Sequence, residues 1–234
     1  MTSTHKIVVK NLSNSLMNFF VYQQPAKIVS AGTSYKVFYT SLGTGALLPH
    51  ASSGAELSFE FKQQVLAAAY SNDTAANITK IGFLTAQSAQ SDLNASWPIE
   101  LTPSSGTAEI ANNTVLSLAP LGLSKPKYAE RVPKGNFGIT VPSYMPQDGI
   151  DLFCGVAIDD PKEGLILSSY VTPAPASQVF CAPEAKYYIE VGTYAAGYIL
   201  NFPDKNAALC DFTNGASICN VSYDADGSFE VTKS

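Results

Sequence analysis

The stretch "AELSFEFK" alternates without a break: Leu57, Phe59 and Phe61 fall on one face, Glu56, Ser58, Glu60 and Lys62 on the other. A period of two is the signature of a strand with one face buried. The segments "HKIVVK", "NFFVYQ", "SYKVFYT", "NTVLSLA", "FGITV", "GLILSSYV", "KYYIEVG" and "GYILNF" also read as strands. They are rich in β-branched and aromatic residues, which suit a pleated, half-buried surface. Between them lie breakers such as Gly43, Gly45 and Pro49, Pro120 and Gly122, Pro133 and Gly135, Pro173 and Pro175. Strand and breaker recur about every 8–12 residues, the spacing of sandwiches and barrels. One segment, "QQVLAAAYS" at 63–71, is helix-like in content, but it continues an alternating strand and allows one or two turns at most.

The pattern predicts an all-β protein, an antiparallel β-sandwich of about a dozen strands with little or no helix. A chain of 234 residues suits one such domain over 1–234. Residues 120–135, "PLGLSKPKYAERVPKG", hold three prolines and the only basic cluster. They mark the place where a subdivision into 1–119 and 136–234 would fall.

Composition changes the picture at the surface. Only 14% of residues are charged, where about 25% is usual. The exterior is therefore built largely from Ser, Thr, Asn, Gln and Tyr, and a charge-poor exterior favours association. The net charge is −5 and Arg131 is the single arginine. Nucleic-acid binding needs clustered Lys and Arg, so it is not expected. No run approaches the roughly 18 apolar residues that span a bilayer. The start, "MTSTHKIVVK", lacks the apolar core of a secretory leader. The expectation is that the chain stays where it is made or that a leader has been removed.

Six Asn-x-Ser/Thr triplets begin at Asn11, Asn72, Asn77, Asn94, Asn112 and Asn220. Thirteen asparagines among 41 serines and threonines would give about two by chance. They are glycosylation acceptors in a secretory context, or turn residues of a loop-rich β protein.

The segment "CDFTNGASIC" at 210–219 bears on the same question. Asn-Gly is the strongest signal for a two-residue type I′ hairpin, in which both central residues have positive φ. With Asn214 and Gly215 at the turn, Cys210 faces Cys219 in a non-hydrogen-bonded pair. The Cα separation there is about 4.5 Å, within reach of a disulfide. Zinc would want shorter spacings and four ligands, and a CxxC redox motif is absent. Two reduced thiols are the alternative. Cys154 and Cys181 would form the second pair, unless a surface cysteine bridges two chains. Disulfides and used triplets would both place the protein in a secretory, vacuolar or extracellular compartment.

Candidate chemistry is sparse. A serine nucleophile needs a base, and the two histidines, His5 and His50, are each expected as exposed polar residues. "QDGIDLFCGVAIDDPKEG" carries Asp148, Asp151, Asp159, Asp160 and Glu163. These could serve a glycosidase or hold calcium, but read more simply as turns. "YDADGSFEV" holds a fragment of a calcium loop, and reads as a hairpin turn flanked by Ser222-Tyr223 and Ser228-Phe229. Lys125, Lys127, Arg131 and Lys134 could dock an anionic partner or simply solvate a loop. Trp97 could stack on a sugar or fill a corner. Tyrosines near strand ends, with Asn, Ser and Gly, form the palette of a recognition surface.

No catalytic residue, cofactor or metal site emerges. The expected role is a non-enzymatic structural or storage protein that associates with itself. A lectin-like or membrane-recognising module gripping neutral carbohydrate is the alternative, and a hydrolase with an unrecognised acidic site comes third.

Overall fold

A computed structural model of the chain describes residues 4–30, 33–73, 93–104, 110–145, 150–160, 164–201 and 206–234. Twenty strands and one helical turn occur among them. The first eleven strands are β1 (Thr4–Asn11), β2 (Met17–Gln23), β3 (Lys27–Ser30), β4 (Thr33–Ser34), β5 (Phe38–Leu47), β6 (Leu57–Lys62), β7 (Leu66–Asp73), β8 (Leu93–Asn94), β9 (Ser96–Pro98), β10 (Asn113–Leu118) and β11 (Leu121–Ser124). Then come β12 (Phe137–Thr140), β13 (Ile150–Asp160), β14 (Gly164–Val171), β15 (Gln178–Ala182), β16 (Lys186–Val191), β17 (Ile199–Leu200), β18 (Ala208–Asp211), β19 (Ile218–Tyr223) and β20 (Phe229–Lys233). Eight are four residues or shorter, which leaves twelve of substantial length. The helical turn is α1 (His50–Ser53). The molecule is an all-β, sandwich-like fold, as the alternation predicts.

The strands form three sheets. A four-stranded sheet runs β20-β19-β1-β6, and a seven-stranded sheet runs β4-β3-β15-β12-β10-β11-β8. The third runs β18-β16-β2-β5-β14-β13-β7-β9, with β17 beside β5. Pairing is antiparallel except for β1 with β19 and β10 with β12. Each sheet draws strands from both sides of residues 120–135, and β11 lies within that segment.

Two cores result. Ile7 and Val9 of β1, Phe61 of β6 and Val221 of β19 pack on Phe19, Val21 and Ile189 of the large sheet. Ile28, Leu116, Leu123, Phe137 and Val179 of the seven-stranded sheet pack on Ala67, Ala69, Leu152 and Val156. The two smaller sheets thus lie on the same face of the large one, over different halves. Along β13, Val156 belongs to one core and Ile158 to the other. A bulge between Val156 and Ala157 marks the hand-over.

Segment 63–71 departs from its helix-like reading. Leu66–Asp73 is a strand paired with β13 on one side and β9 on the other. Ala67 and Ala69 face one core, Leu66 and Ala68 the opposite face. A strand buried on both faces shows a continuous apolar run, which periodicity cannot tell from a buried helix.

The cysteine hairpin is the main correction. β18 belongs to the large sheet and β19 to the four-stranded one, so Cys210 and Cys219 are not cross-strand partners. Cys210 pairs with Tyr187, and Cys219 with Ile7 and Lys233. A type I′ turn needs positive φ at both central residues. Gly215 has it (φ 84), whereas Ala176 is the one non-glycine that does among the described residues. Asn214 therefore does not, and Gly215 N–H donates to the Phe212 carbonyl in a corner that carries the chain between sheets. All four cysteines are free thiols, fully buried and not at bonding distance. None stands at the surface to bridge chains.

Candidate functional site

The inward parity of β1 does not stop at Ile7. Counting back by two reaches His5, which is 94% buried and stacks on Phe212 with ring centroids 4.4 Å apart. On β2 the parity of Phe19 and Val21 extends to Gln23, which is 93% buried. Both side chains line a cavity of about 220 Å³. Its walls include Val65, Leu101, Val156, Ile158 and Tyr187, with Lys62 and Glu184 also contributing.

The topology explains why a cavity forms here. The chain passes from one sheet to another at residues 23–26, 63–65 and 183–185. All three crossings meet at this seam, over the bulge of β13, where neither small sheet covers the large one. Cross-links tie the crossings together: Gln24 N–H donates to the Lys186 carbonyl at 2.8 Å and Ile99 N–H to Val65 at 3.1 Å. Gln23 Nε2 donates to the Glu184 carbonyl at 2.9 Å.

His5 Nδ1 and Gln23 Oε1 have no hydrogen-bond partner in the protein and are closed to solvent, so these two atoms lie behind the lining rather than on it. An unpaired buried polar group costs roughly 1–3 kcal/mol, so native proteins rarely keep one without a use. Burial pushes the His5 imidazole below its usual pKa, which holds the ring neutral near pH 7. Lys62 pairs with Asp159, both side chains being half exposed, and Lys186 pairs with Glu184. The lining thus offers hydrogen-bonding groups and apolar walls with its charges already compensated.

His5 corrects the expectation of an exposed histidine. The signal was present in the parity of "HKIVVK", where a polar residue falls on a core-facing position. His50 is half-buried, its Nδ1 3.0 Å from the Ala55 carbonyl.

The other predicted residues lie elsewhere. Trp97 is half-buried; its indole N–H donates to the Leu123 carbonyl at 2.7 Å and its ring packs on the second core. Lys125, Lys127, Arg131 and Lys134 are exposed along the loop after β11. Asp151 is exposed, Asp159 pairs with Lys62, Asp160 is half-buried, and Asp148 and Glu163 lie outside the described residues. The 223–229 turn is a hairpin, with Tyr223 opposite Phe229. Asp226 Oδ1 accepts hydrogen bonds from Ser228 N–H and Oγ–H at 3.0 and 2.7 Å.

Cys154 and Cys181 both sit in the second core, where burial pushes the Cys154 thiol up to about 12 and Cys181 well above its usual value. Burial raises the Cys210 and Cys219 thiols as well. Thiols held protonated in this way are poor nucleophiles and poor metal ligands. Among the described residues no three His, Cys, Asp or Glu cluster as a metal site. No helix among them is long and apolar enough to cross a membrane.

Two of the six Asn-x-Ser/Thr asparagines are structural. Asn11 is fully buried, and its Nδ2 donates to the Ser15 and Leu47 carbonyls at 2.7 and 2.9 Å. Asn112 is fully buried too; it accepts from Ala129 N–H and donates to Thr102 Oγ1. Neither amide is free for a glycan. Asn94 and Asn220 are half-buried. The side chains of Asn72 and Asn77 lie outside the described residues.

No protein-family model matches this chain, and no curated protein or solved structure does either.

Proposed function

We propose that the protein is a non-catalytic binding module that holds a small neutral ligand in the cavity between its four-stranded and large sheets. One observation carries this reading. A cavity of about 220 Å³, walled by Val65, Leu101, Val156 and Ile158 with Gln63 and Gln64 beside them, opens where the chain crosses between sheets. A small ligand that covers these apolar walls gains by removing them from water, and with Lys62 and Glu184 already paired a neutral one loses least on entry. The test is ligand-observed NMR with a library of small neutral molecules against the wild type and against His5→Phe. Binding to the wild type that is lost in the variant supports the module. A library in which nothing binds, or binds both proteins equally, overturns it.

Self-association is the second reading. Leu12, Leu16 and Leu48 are 45%, 55% and 54% exposed. They are the chain neighbours of Asn11, Ser15 and Leu47, which the Asn11 amide joins. An apolar cluster on a charge-poor exterior favours contact with another copy. Light scattering over a concentration series checks this. A mass that rises with concentration and returns to the monomer in Leu16→Glu supports it, and a monomer throughout removes it. Reductant has no effect on either outcome, because the four cysteines are buried thiols.

A further inference from the structure

Residues 125–134 carry Lys125, Lys127, Arg131 and Lys134 against a single acid, Glu130. None of them lines the cavity, so the two surfaces stand or fall separately. We infer that this loop docks a linear anionic polysaccharide, one whose sugars carry carboxylate or sulfate groups.

The charges are free, and the loop that bears them is fixed. All four cations are exposed. Elsewhere Lys6, Lys10, Lys62 and Lys186 each pair with a carboxylate. Among the described residues no carboxylate pairs with the four cations of the loop. Lys127 N–H donates to the Asn113 carbonyl at 2.8 Å, and Asn113 N–H to the Lys127 carbonyl at 3.0 Å. The buried Asn112 side chain accepts from Ala129 N–H at 2.8 Å. Val132 is buried over Gly138, where an added Cβ would lie 3.1 Å from Val132 Cγ2. Gly135 N–H donates to the Thr102 carbonyl at 2.7 Å. A loop tied at these points loses little backbone freedom when a partner binds.

Charge and shape select the partner. With these four bases and Glu130 set aside, the chain's 14 bases and 19 acids become 10 and 18. The rest of the molecule is therefore acidic. A polymer strand lies along the loop alone, and screening over about 8 Å hides the acidic remainder from it. A planar anionic membrane extends beyond the loop over that remainder, which repels it. A nucleic-acid duplex, with one charge per about 1.7 Å, calls for a larger basic surface than four cations. Arg131 can meet a carboxylate or sulfate with two parallel N–H donors, and the lysines act as point charges. Tyr128, 45% exposed beside Lys127, supplies a ring whose apolar body suits the C–H face of a sugar while its hydroxyl stays wet.

The experiment is isothermal calorimetry of the whole chain with dextran sulfate, polygalacturonate, neutral dextran and phosphatidylserine-containing vesicles. The variants are Lys127→Gln/Arg131→Gln, Tyr128→Ala and, as a control for bulk charge, Lys6→Gln/Lys10→Gln. Thermal unfolding confirms that each is folded. The expected result is binding of dextran sulfate or polygalacturonate but not of dextran, weakening about tenfold or more between about 50 and 200 mM salt. Binding by one polymer alone assigns sulfate or carboxylate. The loop double variant loses about tenfold or more and Tyr128→Ala about fivefold, while the control binds as wild type. Binding of neither polymer, equal losses in the two double variants, or tighter binding to the vesicles overturns the inference. If Tyr128→Ala binds as wild type, the loop reads charge alone and the sugar assignment falls.

Discussion

At position 5 a neutral imidazole sits where an aliphatic side chain would pack without cost. Replacing it by Phe keeps the ring against Phe212 and removes an unpaired nitrogen. His5→Phe should therefore stabilise the fold by about 1 kcal/mol, or raise Tm by about 3 °C in a chain of this length. Calorimetry checks it, and a drop in Tm would show that Nδ1 has a structural partner. The pH dependence follows from the same group. The unfolded chain protonates His5 near 6.5, the folded chain only at lower pH. Between those values the unfolded state binds more protons, so stability falls as pH drops below about 6.5. The gap in Tm between His5→Phe and wild type should widen as the pH is lowered through that window. A constant gap from pH 7.5 to 5 would contradict the burial. Asn11 behaves oppositely. Asn11→Ala strands the Ser15 and Leu47 carbonyls and should cost about 2 kcal/mol in denaturant unfolding. A loss under about 0.5 kcal/mol would show that water replaces the amide.

Among the elements, β13 and β14 carry the seam. A Cβ on Gly155 would lie 2.2 Å from the Ser169 carbonyl oxygen and 2.7 Å from Tyr170 Cα, both backbone atoms that cannot rotate away. Gly155→Ala should destabilise by about 3 kcal/mol and disturb the bulge that walls the cavity. A variant as stable as wild type would mean that the two strands can separate freely. The corner between β18 and β19 puts Cys210 and Cys219 inside the first core rather than on a hairpin edge. All four thiols should resist a soluble disulfide reagent in the native protein and react fully in denaturant. Rapid native labelling of any of them would contradict this burial. The tyrosines read as recognition groups divide in the same way. Tyr35 and Tyr144 pack against the second core and Tyr223 against the first, leaving Tyr128 and Tyr198 as the exposed ones.

For the molecule as a whole, the order of strands matters more than their order in the chain. β1 lies between β19 and β6, and β2 between β16 and β5. Cutting within 120–135 leaves each half with unpaired strand edges and an uncovered core face, which is costly in water. Fragments 1–119 and 136–234, expressed separately, should show no dispersed NMR spectrum, and mixing them is the condition under which one could appear. A folded isolated half would refute this. The cavity belongs to this scale too, since its lining comes from three separate crossings.

Much of this was legible in the chain. Alternation is a local property, because neighbouring side chains on a strand point to opposite faces. It therefore placed β1, β2, β6, β14 and β16 and assigned Leu57, Phe59 and Phe61 to the core face, but it missed β7 and β13, whose apolar runs do not alternate, and the two glycines read as breakers, Gly43 and Gly45, lie inside β5 and pair with β2. It also held His5 and Gln23 in inward positions, a hint that only needed the count carried two residues further. What alternation cannot report is which strand lies beside which, because pairing joins residues far apart in sequence. Tertiary structure alone decided that β18 and β19 enter different sheets, which turned an apparent stapled hairpin into an inter-sheet contact of two thiols. It also decided that two small sheets share one face of a large one. The gap between them is what opens the cavity, because it leaves the large sheet uncovered at the crossings.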